Sequence, residues 1–280
     1  MKISKRFDLE NDGLNMAVQG QSLYVRCKRD IYKYDATHMT QTARNAIFKK
    51  DGKARTVSAC DRYVFLTDFC DLHILSAEDL RTLARVRLGE DVSSDLGTVR
   101  FDEEKAYICI RNGTVAVMDM ETKETVKHAV SGSSFWDHCV VGNRLYAGTV
   151  QGELLEVDTG DMRVTRKTAL GKKNIYSVVW SGGSLYTVSQ DMTIKATSAD
   201  SFALTATAKK AVKGMARILG LHNNRLVVAD SMKISLWEIP TLRFADAFDF
   251  PTGAYNKGAA LCWDTLIGSD FHSVYSAALG

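Results

Sequence analysis

The chain has 280 residues, 45% hydrophobic and 25% charged, with a formal net charge of +3. That is a globular composition, and so small a charge implies no general attraction to nucleic acid. Two prolines and no low-complexity run exclude a long linker or disordered tail, and no stretch approaches the ~18 apolar residues of a membrane helix.

The opening MKISKRFDLEND is basic but has no apolar core, which argues against a secretory leader. Within it, Arg6-Phe7-Asp8-Leu9 reads as a strand. Beyond it the chain repeats. Ends of a third strand fall at Asp35, Ser76, Asp119, Asp158, Ser198, Ile239 and Ala278, 39–43 residues apart. A period of that size marks stacked supersecondary units. Residues 139–170 show one unit in full: CVVG, RLYAGT, ELLEVD and RVTRKTAL, separated by Gly-Asn, Gln-Gly and Thr-Gly. Each unit has an apolar pair in its second strand, such as Leu23-Tyr24, Leu145-Tyr146 and Leu185-Tyr186. Before most of these pairs stands a Gly, Asn or Asp turn suited to a short hairpin.

Seven such units predict an all-β, seven-bladed β-propeller of four-stranded antiparallel blades. The last unit runs out one strand short. Arg6–Leu9 matches the outer strand 247–250 of unit six, so the N-terminal strand is expected to close the ring. The prediction is a single β-propeller domain over 1–280, with residues 1–9 completing the last blade, 260–280.

Unit three, 99–119, resembles a WD repeat, and unit six carries Leu236-Trp237-Glu238 where that family has Trp-Asp. The stretch 113–119 with Thr122 is similar to quinoprotein-type repeats. These resemblances imply the propeller architecture. They do not carry a function, because no unit has the Gly-His dipeptide of WD repeats and the quinoprotein tryptophan is absent.

Chemistry-bearing motifs are sparse. Ser134-Phe-Trp136-Asp137-His138-Cys139 is the most reactive-looking run, but adjacent strand residues face opposite ways, so Asp137 is not expected to orient His138. Cys70 and His73, three apart, make only half a zinc site. No Gly-x-Ser-x-Gly elbow and no phosphate-cradling glycine loop occurs. The predicted inner strands MAVQG, TVSAC, TVRF, CVVG, VVWS, RILGL and ALCW hold no Asp or Glu, which predicts an axis poor in acid–base groups. Six scattered cysteines (27, 60, 70, 109, 139, 262) read as reduced thiols of a cytoplasmic protein.

The loops that pass from blade to blade share one face. Three of them, 171–180, 209–219 and 251–261, hold Lys172, Lys173, Lys209, Lys210, Lys213, Arg217 and Lys257 with no acid. At this composition about four residues of each sign are expected there. Tyr176 and Tyr255 interleave with them. The first reading is a non-catalytic binding or scaffold module that takes an acidic protein segment or other anionic partner on this face, with Lys172, Lys173, Tyr176, Lys213, Arg217, Tyr255 and Lys257 as contacts. The alternative is a small-ligand or lyase/hydrolase site at the axial mouth, near Trp136, His138 and Tyr176. No cofactor, metal or membrane is expected. The chain is expected to be monomeric, and nucleic acid is the weaker partner class.

Overall fold

A computed structural model describes residues 3–9, 13–27, 29–47, 56–90, 95–231, 233–250, 258–270 and 273–279. Those residues form strands and turns with no helix. The strands make seven four-stranded antiparallel sheets. Six blades take consecutive strands, within 13–46, 56–87, 96–129, 135–169, 175–208 and 217–248. The seventh joins three strands within 259–278 to the N-terminal strand Ser4–Asp8.

The innermost strands are Gly13–Gln19, Thr56–Ala59, Leu96–Phe101, Phe135–Val141, Ile175–Ser181, Arg217–His222 and Ala259–Cys262. Each touches the next, and Ala259–Cys262 touches Gly13–Gln19, so the ring is closed. Closure follows the register seen in the sequence. Phe7 stands opposite Val274 as Phe248 stands opposite Ile234. Phe7 also crosses to blade one, stacking on Tyr34 with ring centroids 4.4 Å apart.

There is no central core. The buried apolar side chains fall into seven clusters, one between each pair of adjacent blades. Middle strands are therefore covered on both faces, which is why segments such as Tyr63–Thr67 read as continuous apolar runs. Outer strands, such as Gln41–Ala46, alternate exposed and half-buried residues.

A recurrent turn joins the third and fourth strands. Met39, Leu80, Lys123, Met162, Phe202 and Leu242 all have positive φ, between 54° and 66°. Each donates its N–H to the carbonyl of the residue that ends the third strand: Asp35, Ser76, Asp119, Asp158, Ser198 and Glu238. Left-handed backbone costs a side-chain-bearing residue about 1–2 kcal/mol. Leu80, Met162, Phe202 and Leu242 are buried between blades, and burying such a side chain contributes about 1.5–3 kcal/mol, enough to offset the strain. Glu238 heading its turn also corrects one predicted strand end: the strand stops there, one residue before Ile239.

The inner strand of blade four needs a larger correction. CVVG is only its tail; the strand begins at Phe135, with a register shift between Phe135 and Asp137. The axis therefore does contain an acid, and Asp137 is buried there.

Candidate functional site

The N-terminal ends of the inner strands surround an axial mouth on the face where the blade-to-blade loops arrive. A cavity of about 110 Å³ lies there, with Arg100, Arg111, Trp136, Asp137, Tyr176 and Arg217 on its wall. Tyr176 meets Trp136 edge-on, centroids 5.8 Å apart and planes at 86°. The Arg111 guanidinium lies over the Trp136 ring at 4.3 Å. A second cavity further along the axis shares Val57, Ser58, Arg100 and Arg217 with the first.

Asp137 ties four blades together. Its Oδ1 accepts from Arg100 Nη2 at 2.9 Å and Thr98 Oγ1 at 3.0 Å, both in blade three. Its Oδ2 accepts from Ser177 Oγ at 3.1 Å and the Val178 N–H at 3.2 Å, in blade five. Ser177 Oγ in turn accepts the Ile218 N–H of blade six at 3.2 Å. Both carboxylate oxygens are thus fully used.

His138 points the other way, as strand alternation requires, and is fully buried. It does not line the axial cavity. Nε2 lies 3.1 Å from the Tyr107 carbonyl, which can only accept, so Nε2 carries the proton. Nδ1 accepts from Cys109 Sγ at 3.2 Å; Thr98 Oγ1 is equally near, but its proton goes to Asp137. Burial and then the Arg100 charge hold its pKa down at about 4. Burial likewise pushes the Cys109 thiol far up, so it remains a donor.

A neutral buried imidazole has a pH signature. Its folded pKa lies below the ordinary 6.5, so acid protonates the unfolded chain first. The penalty is absent above pH 6.5, grows as pH falls, and levels off near pH 4 at about 3 kcal/mol. His138→Gln keeps a donor and an acceptor but cannot titrate. Urea unfolding at pH 7, 5.5 and 4.5 should show a smaller acid loss in the variant; equal losses would contradict a neutral His138.

On the loop face, Lys172, Lys173, Lys209, Lys210 and Lys213 are exposed. Tyr176 is half-buried at the axial rim. Arg217 parts from the lysines: it opens the inner strand of blade six, opposite Ala229, and lines the axis. Tyr255 and Lys257 lie outside the described residues.

Turns between second and third strands also reach this face. They bring Asp191 and Asp230 among the lysines. Asp230 is buried and accepts the N–H groups of Lys213 and Lys233, each at 2.9 Å. Asp191 accepts from Thr193 Oγ1 at 2.6 Å and the buried Lys195 Nζ at 3.1 Å. Burial raises the Asp191 pKa, but those bonds outweigh it and hold the carboxyl below its usual range. Both acids organise loops from within and leave the lysines uppermost. Met192, in the same turn, is exposed.

Elsewhere, buried Glu156 is held by Arg144, Arg166 and Thr165, and Arg166 also reaches the Ala199 carbonyl of the next blade. That cluster is saturated and joins blades four and five. Near Cys70 and His73, Asp71 is paired with Arg85 at 2.6 Å, and no metal-binding cluster occurs among the described residues. All six cysteines are free thiols. No helix among the described residues is long and apolar enough to cross a membrane.

No protein-family model matches the sequence, and no curated protein does. The fold is matched by solved structures. A chain in the crystal structure of the mitotic checkpoint complex superposes with TM-score 0.82 at 12% identity, over 100% of this chain and 91% of that one. The computationally designed Ika8 protein superposes with TM-score 0.71 at 11% identity, over 98% and 99% of the two chains. Identities this low speak for architecture alone, and the chain has the fold of a seven-bladed β-propeller.

Proposed function

We propose that this chain is a non-catalytic binding module, one propeller domain over 1–280, that docks an acidic protein segment on the face of the blade-to-blade loops. The observation that carries this reading is the sector 171–213, where Lys172, Lys173, Lys209, Lys210 and Lys213 are exposed while the acids beside them are spent on internal bonds. Half-buried Tyr176 and exposed Met192 supply contact area next to the charges. A closed ring cross-linked between blades suits a rigid platform whose loops make the contacts. The similarity to a chain of the mitotic checkpoint complex, an assembly of proteins, is in keeping with such a role.

Exposed charges act mainly on encounter and are screened beyond roughly 8 Å at physiological salt. Reversing Lys172, Lys173 and Lys213 to Glu should slow association with fluorescein-labelled Asp/Glu-rich peptides about tenfold at low salt, and should flatten the salt dependence. Stability should change by no more than about 0.5 kcal/mol per site. Stopped-flow association at two ionic strengths reads this directly. Unchanged rates would remove the lysine sector as a docking surface.

A further inference from the structure

The axial mouth holds one cation too many. Three arginines line it, and two are matched by buried carboxylates: Arg100 by Asp137 at 2.9 Å and Arg111 by Asp95 at 3.3 Å. The Arg217 side chain has no hydrogen bond or ion pair with any described residue; its backbone pairs with Ala229. Asp137 cannot serve it, because both of its oxygens are filled from blades three and five. Burial and the nearby Arg100 lower the Arg217 pKa to about 10, which still leaves it charged at neutral pH. The same wall holds a second unspent donor. Trp136 Nε1 is buried and has no acceptor among the described residues. A half-buried guanidinium and a buried indole N–H without partners both cost free energy unless something fills them.

We propose that the axial cavity is a carboxylate-binding site in which Arg217 supplies the charge and Trp136 a neutral donor. The planar guanidinium fork matches a carboxylate. Charge decides against a phosphate dianion: one surplus positive charge balances one negative charge, and Asp137 stands close by to repel a second. A volume of about 110 Å³ takes a carboxylate with a short carbon stem. The Trp136–Tyr176 pair supplies an apolar collar for that stem. The carboxylate could arrive as a free small acid or as a side chain or C-terminus of a docked segment. The site itself does not depend on the lysine sector.

The test is titration calorimetry with acetate, succinate and N-acetylaspartate, against inorganic phosphate, at fixed ionic strength. A second arm uses short acidic peptides with free and amidated C-termini. Saturable binding of small acids identifies a free ligand; binding of peptides alone identifies a partner's carboxylate; both support the site. Arg217→Gln should weaken either by at least about tenfold, since the lost bond is charge-assisted. Because the Arg217 side chain has no bonded partner to lose, that variant should melt at or above the wild-type temperature. The Lys172, Lys173 and Lys213 reversal should leave binding of the small acids intact, which separates this site from the docking face. No saturable binding by any carboxylate, equal binding by Arg217→Gln, or a preference for phosphate would overturn the proposal.

Discussion

Replacing Asp137 with alanine should destabilise the propeller by about 3–5 kcal/mol, the usual cost of breaking a buried ion pair from one side. The carboxylate is only 3% exposed and its partner Arg100 38% exposed. Its loss removes the partner of Arg100 Nη2, the Thr98 and Ser177 hydroxyls and the Val178 N–H at once, leaving Arg100 only its Nε bond to the His138 carbonyl. Ser177 also anchors the Ile218 N–H, so the damage should spread from blade three to blade six. For a chain of this size the melting temperature should fall by about 10 °C. Asp137→Asn should fall between: it keeps one acceptor, but its amide N–H₂ faces the Val178 N–H and its charge is gone. Urea unfolding with an unchanged m-value measures the difference. A loss below about 1 kcal/mol would mean that desolvation of the carboxylate cancels its four bonds.

Removing residues 1–9 should be about as costly, and it should also cause aggregation. The strand Ser4–Asp8 covers the outer edge of blade seven, pairing Lys5 with Tyr275 and Phe7 with Val274. The side chains reinforce the pairing: Arg6 Nε donates to Ser276 Oγ and Ser273 Oγ donates to Asp8 Oδ1, each at 2.5 Å. Without the strand, the Ser273–Ala278 edge and the apolar cluster around Tyr34 and Val274 lie open. Open edges recruit other chains. The stacked Phe7 ring alone should account for about 3 kcal/mol. Light scattering during a thermal ramp, compared with Phe7→Ala, separates edge exposure from lost packing. Adding the 1–9 peptide in trans should restore solubility by strand addition. A truncated chain that melts cooperatively at the wild-type temperature would show that the ring does not need this strand.

The repeat, the blade count and the closing strand are legible in the sequence because hairpin turns and double-sided burial leave strong local marks. Gly182-Gly183 and Asn223-Asn224 take positive φ at both turn positions, as their composition suggests. The third-to-fourth-strand turns are hidden, because Leu80 and Phe202 adopt the same backbone without the usual Gly or Asn; tertiary burial holds them there. The axis is hidden for a related reason. The register shift at Phe135–Asp137 breaks the alternation that would have extended the strand upstream of Cys139. Arg217 reads as one of a run of loop cations until its pairing with Ala229 turns it inward. Asp191 and Asp230 sit in hairpin turns of the same blades as the lysine loops, and strand pairing within each blade brings turn and loop together.

The closing strand also sets an order of events. Asp8 and Ser273 bond to one another across 265 positions of sequence. At a synthesis rate of about 5–20 residues per second, the partner of Asp8 appears on the order of tens of seconds after it. Six blades can assemble from neighbouring segments as the chain emerges. The seventh cannot, and through that interval Phe7 has no Val274 to meet. This strand is made before the six other blades and used after them, so the newborn chain is an open array of sheets until Ser273–Ala278 has been synthesised.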